Sequence, residues 1–210
     1  MKEESISDLE NELVDSINSE YLTELTMDIG DLVIGCLSDI QIPFFGTAYK
    51  ISKVGLNIRE HYFVKKVFKF LSNIKDIPVE DRRLFIKEFE KQNFGQRVGE
   101  TLITLLDRFD NIEKPIFLAN LFKAKIENKI DIENFLRLAF IIEKSFLPDL
   151  KSLHQYKNDK LYNGHQCESL RSLGLIYQSV LDANGRNNIF SITSLGQDIL
   201  EYGLKSNFNT

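Results

Sequence analysis

The segment from Cys167 to Tyr202 runs Glu168-Ser-Leu-Arg-Ser-Leu-Gly-Leu-Ile176, then Asp182-Ala-Asn-Gly-Arg-Asn-Asn188, then Ile189-Phe-Ser-Ile-Thr-Ser-Leu-Gly-Gln-Asp-Ile-Leu200. Each piece names a structural event. Residues 166–172 read as a short helix, and Gly174 supplies the left-handed conformation that closes such a helix. Residues 175–181 are β-prone. Asn184-Gly185 is the dipeptide preferred in a two-residue hairpin turn. Ile189-Phe-Ser-Ile192 returns as the partner strand, and Thr193 or Ser194 caps a last helix over 195–204. The expected order is helix, strand, polar tip, strand, helix.

Upstream the chain is read as a helical bundle. Residues 5–26 place Ile6, Leu9, Leu13, Ile17, Tyr21 and Leu25 at helical spacing. That stretch, counted from Met1 to Thr26, holds eight acids (Glu3, Glu4, Asp8, Glu10, Glu12, Asp15, Glu20, Glu24) against Lys2 alone. Residues 27–40 continue the helical pattern, and Pro43 with Gly46 marks a turn bearing Ile42, Phe44 and Phe45. Residues 47–74 are expected to form one helix whose two halves face different partners. Its charge is opposite to that of the first helix: Lys50, Lys53, Arg59, Lys65, Lys66, Lys69 and the following Lys75 stand against Glu60. Further helices are expected from Pro78 with Asp76 as cap, over 94–109, over 112–126 with Pro115 in its first turn, and over 132–153 from an Asp131 cap. The fourth helix is expected to bury Val79, Leu84, Phe85 and Phe89. Pro148 should kink or divide the last of these helices. The polar, turn-rich stretch 157–164 places the boundary between a bundle (1–157) and a closing module (158–210). The fold class is therefore mainly α, a multi-helix bundle with a small C-terminal winged-helix-like α+β module.

Bulk properties narrow the chemistry. A chain of 210 residues with 43% hydrophobic and 27% charged residues has the composition of a folded protein. A net charge of -5 argues against whole-chain affinity for nucleic acid. The two cysteines, Cys36 and Cys167, form no CxxC pair, so neither a disulfide framework nor a closed zinc site is implied. The acidic, polar N-terminal residues do not read as a secretory signal, and 29–49 is interrupted by Asp31, Asp39, Gln41 and Pro43, so a cytoplasmic protein is expected.

No phosphate-binding glycine loop, HExxH or nucleophile elbow occurs. Asp107, Asp110 and Glu113 lack the glycine and terminal ligand of a calcium loop, which leaves them as solvated helix-end charges. His154, His165 and Cys167 are too few for a closed metal site. The expectation is a chain without catalytic residues, metal or cofactor.

The pattern Leu170-x-x-Leu173-Gly-Leu-Ile176, a polar tip, and Phe190-Ser-Ile-Thr-Ser-Leu-Gly-Gln-Asp-Ile-Leu200 resembles the wing and following helix of MarR- and PadR-like winged-helix regulators. That resemblance implies DNA contacts from the helix before the wing and from the wing tip, here Arg171 and Arg186. From 161 to 210, however, three basic residues (Arg171, Arg186, Lys205) meet four acids (Glu168, Asp182, Asp198, Glu201), a poor balance for neutralising phosphates. The body, with Ile58-Arg-Glu-His61, Val64-Lys-Lys-Val-Phe-Lys-Phe-Leu71 and Phe117-Leu-Ala-Asn-Leu-Phe122, resembles all-helical proteins of bacteria and their prophages, which implies a phage-related or defence setting.

Three functional readings follow. The first is a non-enzymatic interaction or regulatory protein working through a protein partner or self-association. The second is a DNA-binding regulator using Arg171 and Arg186, assisted by Lys65, Lys66 and Lys69; the alternative for those lysines is a face turned to water or paired with the acidic first helix. The third is a membrane-associating protein using Ile42, Phe44 and Phe45, against their use to cap the core.

Overall fold

A computed structural model describes residues 2–25, 40–52, 58–92, 97–161, 164–180 and 188–205. The protein is mainly helical, with one small antiparallel sheet near the C-terminus. The chain divides into two compact units, Met1–Ile132 and Glu133–Thr210. This division falls ahead of the polar stretch at 157–164, so the helices just before that stretch group with the closing module.

The first unit contains α1 (Lys2–Asn18), a 3-10 turn (Glu20–Glu24), α2 (Pro43–Ser52), α3 (Ile58–Ile74), α4 (Val79–Lys91), α5 (Val98–Arg108) and α6 (Lys114–Ile126). Helix α3 packs on α6, while α1 packs on α2, α4 and α5. Phenylalanine fills the core in place of the absent tryptophan. Phe45 and Phe68 have ring centroids 5.7 Å apart, Phe70 and Phe122 5.9 Å, and Phe85 and Phe122 4.1 Å. These spacings lie within or just under the range of favourable aromatic pairs. Gly99 lets α1 and α5 approach closely, since a Cβ there would lie 2.6 Å from the Glu10 carbonyl oxygen.

Several expectations need revision. Pro43, Phe44 and Phe45 form the first turn of α2 instead of a free turn, because proline is suited to a helix start. The expected helix over 47–74 corresponds to parts of α2 and α3, with 53–57 outside the described residues. The first expected helix stops at Asn18, where Ser19 caps the following 3-10 turn by accepting from the Tyr21 N–H at 3.2 Å. Asp76 does not cap α4; Pro78 occupies that position with no side-chain cap. Leu84 is 54% exposed, and the buried stripe of α4 runs through Arg82, Phe85, Ile86 and Phe89. At 100° per residue position 84 lies opposite that stripe, so the geometry was available in the spacing.

The second unit holds α7 (Ile132–Lys144), α8 (Leu147–Ser152), a 3-10 turn (Leu153–Lys157), β1 (Lys160–Leu161), α9 (Gly164–Ser172), β2 (Ile176–Val180), β3 (Ile189–Ile192), and α10 (Ser194–Asp198) running into a π-helical turn (Ile199–Gly203). The long helix expected over 132–153 is divided, and Pro148 stands in the first turn of α8. Gly174 has φ 71°, the left-handed stop expected of it. Thr193 caps α10, accepting from the Gly196 N–H at 3.0 Å and donating to the Gly174 and Leu175 carbonyls.

Strand β1 was not legible in the sequence: it is two residues long and lies in a polar stretch. It completes a sheet of order β1-β3-β2, with Lys160 opposite Phe190 and Leu161 opposite Ile189.

Burial, with Glu201 three residues on, raises the Asp198 carboxyl above its ordinary pKa. Its ionised form is therefore disfavoured in the folded state, and that penalty vanishes once the carboxyl is protonated in both states. Asp198→Asn is expected to raise the thermal midpoint at neutral pH. The gain should fade as pH falls through the raised pKa to below the ordinary carboxylate value, as followed by melting curves across that range.

Candidate functional site

Two surfaces are candidates for a functional site: the sheet of the second unit and the cationic helix α3 of the first. In the sheet, residues directly opposite one another share a face. Ile176, Phe190 and Ile192 form the inner face, at 2%, 2% and 9% exposure. On the other face Ser191 stands opposite Tyr177, and Ile189 stands opposite both Leu161 and Val180. A register shift between Gln178 and Val180 sets Val180 against Ile189, as a bulge does when it re-aims a side chain. The outer face consequently shows Leu161 at 57%, Tyr177 at 51% and Val180 at 47% exposure, one residue from each of β1 and β2's two ends around half-buried Ile189. Strand β2 is a five-residue edge strand with no charge and no proline between Ile176 and Val180, so its shortness and the bulge before Val180 are what guard it.

Beneath the sheet, Tyr156 is fully buried and its hydroxyl lies 3.2 Å from Cys167 Sγ and 3.3 Å from Gln166 Oε1. Burial, with the neighbouring thiol, pushes the phenol pKa up. Lys160 Nζ sits 5.5 Å from the ring centroid and also bonds Gln155. These contacts lock β1 onto the preceding 3-10 turn. His154 is exposed and bonds the Lys151 carbonyl at 2.8 Å, turned to a different use from Cys167. Among the described residues, no three His, Cys, Asp or Glu side chains gather where they could hold a metal ion.

Arg171 is exposed on α9 with Glu168 4.0 Å away, and Arg186 lies outside the described residues. Cys36 and the hairpin tip at 181–187 also lie outside them.

The lysines grouped on α3 separate into two kinds. Lys66 is 4% exposed, and its ammonium donates to the Asp107 and Phe109 carbonyls at 2.7 and 2.9 Å. It thus closes the C-terminal end of α5, where free carbonyls and the helix dipole attract a cation. Burial lowers its pKa despite the raising effect of Asp107. It offers no phosphate-facing charge. Lys65 and Lys69 are half-buried and, among the described residues, make no ion pair. Arg59 pairs with Asp107 at 2.8 Å, Asp110 with Lys114 at 2.7 Å, and Lys75 donates to the Leu25 carbonyl at 2.8 Å. Asp107 and Asp110 are therefore turned to separate cations. Among the described residues, Arg59 and Lys66 of α3 find their partners at the end of α5 and Lys75, just beyond α3, at Leu25, and none of them pairs with an acidic side chain of α1.

Ile42, Phe44 and Phe45 are 3%, 0% and 0% exposed. As folded, they line the core and offer too little side-chain surface to enter a bilayer. Among the described residues, no helix is long and apolar enough to cross a membrane.

Sequence reasoning missed Arg82. Its guanidinium is fully buried and donates to the carbonyls of Ile77 (Nε, 3.0 Å), Ile17 (Nη1, 2.6 Å) and Ser19 (Nη2, 3.1 Å). The one available signal was its place on the apolar arc with Phe85, Ile86 and Phe89. No family model matches the chain, and neither a curated protein nor a solved structure matches it.

Proposed function

We propose that this is a non-enzymatic interaction or regulatory protein whose C-terminal unit is a winged-helix-like module adapted to protein contact. The observation that carries the reading is the outer sheet face, where Leu161, Tyr177 and Val180 remain exposed around Ile189. Exposed apolar groups gathered on one face are a feature of protein-binding surfaces, and tyrosine is prominent among residues that anchor them.

The order β1-α9-β2-β3-α10 and the sheet order β1-β3-β2 support the winged-helix likeness. DNA reading by such a module uses a pair of helices, the second entering the major groove. Here, among the described residues, only α9 lies between β1 and β2, and its Arg171 has Glu168 beside it. The acidic balance of 161–210 points the same way.

The reading is tested by paired substitution of the patch, Tyr177→Glu with Val180→Lys. The wild type should retain a discrete partner from the native host that the variant loses, while both keep the same melting midpoint. Retention of every partner by the variant would remove the sheet face from consideration. Salt-sensitive binding to duplex DNA that weakens in Arg171→Glu or Arg186→Glu would establish the regulator reading instead.

A further inference from the structure

We infer that the outer arc of α3 is a self-association surface that seats in a cleft of a second copy of this chain. At 100° per residue Ile58, Tyr62, Lys65 and Lys69 fall within about 60° of one another on α3. Ile58 is 90% exposed and Tyr62 42% exposed. Lys66, from its interior position, holds its ammonium 5.9 Å from the centre of the Tyr62 ring. The arc is thus an apolar knob followed by two lysines without ion partners among the described residues. The acids near it are already engaged, Asp107 by Arg59 and Asp110 by Lys114.

The same unit carries the converse surface. A cleft of about 490 Å³ opens between the end of α1 and the start of α2, lined by Asp15, Tyr21, Ile40, Ile42 and Pro43 among others. Its walls are mainly apolar, Tyr21 is 53% exposed, and Asp15 is an exposed carboxylate with no ion pair among the described residues. Asp8, two helical turns earlier on the same arc of α1, is likewise exposed and unpaired among them.

An apolar knob with two cations and an apolar cleft with one carboxylate on its wall and a second two helical turns along α1 are complementary in both terms. The choice of a second copy follows because one chain holds both halves and, among the described residues, no cation of α3 pairs with an acid of α1. Like-charged copies would also gain most from matching these two patches, which are its locally opposite regions. An anionic membrane or a nucleic acid would match the lysines but leave the acidic cleft unmet. This surface lies in the first unit and is independent of the sheet face.

Sedimentation of the full chain tests the inference. The wild type should show a concentration-dependent mass above 24.3 kDa that falls towards the monomer between about 0.05 and 0.5 M NaCl. Lys65→Glu/Lys69→Glu should weaken association by roughly tenfold or more, and so should Asp8→Lys/Asp15→Lys, with far-UV circular dichroism unchanged. In the first variant knob and cleft are both acidic, and in the second both are basic. An equimolar mixture of the two should therefore associate again. A wild type that stays monomeric at every concentration overturns the inference, as does association that is indifferent to salt and to both variants. Failure of the mixture to recover overturns the pairing of these two patches.

Discussion

Replacing Arg82 by methionine is expected to destabilise the Met1–Ile132 unit by about 1–3 kcal/mol, the scale of leaving buried acceptors without their donor. Methionine keeps much of the apolar stem but donates nothing. The carbonyls of Ile17, Ser19 and Ile77 then lose the partners that Arg82 supplies, and a buried acceptor without a partner costs about 1–3 kcal/mol. Ile17 is the penultimate residue of α1, so the loss also falls on a helix end that has no other basic residue in its last turn. Lysine, with one ammonium in place of a planar fork, should recover only part of the difference. Denaturant unfolding followed by circular dichroism measures it. A change below about 1 kcal/mol would mean that water reaches these carbonyls and that the guanidinium is dispensable.

Gly196→Ala is expected to destabilise the second unit by about 2–3 kcal/mol, although helix propensity alone favours alanine by about 1 kcal/mol. The added Cβ would lie 2.3 Å from the Leu175 carbonyl oxygen and 2.7 Å from Ile192 Cγ1. The oxygen cannot move aside freely, because it accepts from both the Thr193 N–H at 3.0 Å and the Thr193 hydroxyl at 3.1 Å. Steric conflict with fixed backbone therefore outweighs propensity. Amide hydrogen exchange in β2 and β3 should accelerate together in the variant. Unchanged exchange there would show that α10 shifts without strain.

These two residues mark the limit of what a linear reading reaches. Gly196 appears in the sequence within a short Leu-Gly-Gln run, and nothing local distinguishes it from a helix-weakening glycine. Its necessity comes from Leu175, more than twenty positions earlier, which the hairpin brings against it. Arg82 sits among Glu80, Asp81 and Arg83 and reads as one more surface charge. Only the placement of α1's last turn over α4 turns it inward. The α3 lysines show the same principle within one helix. Lys65 and Lys66 are neighbours in sequence, yet one faces outward and the other closes α5.

The sequence by itself determined the local events: the Gly174 stop, strands at 176–180 and 189–192, the Thr193 cap, and the helical periodicity of the body. Each depends on backbone preference or on the spacing of apolar residues within a few positions, which the chain carries wherever it folds. The tertiary structure decided the rest. It added β1, a strand too short and polar to declare itself, because β3 offered it an edge. It buried Ile42, Phe44 and Phe45, and sorted the cations into helix-closing groups and free surface charges. Burial and pairing are properties of neighbours distant in sequence, and those neighbours exist only once the chain has packed.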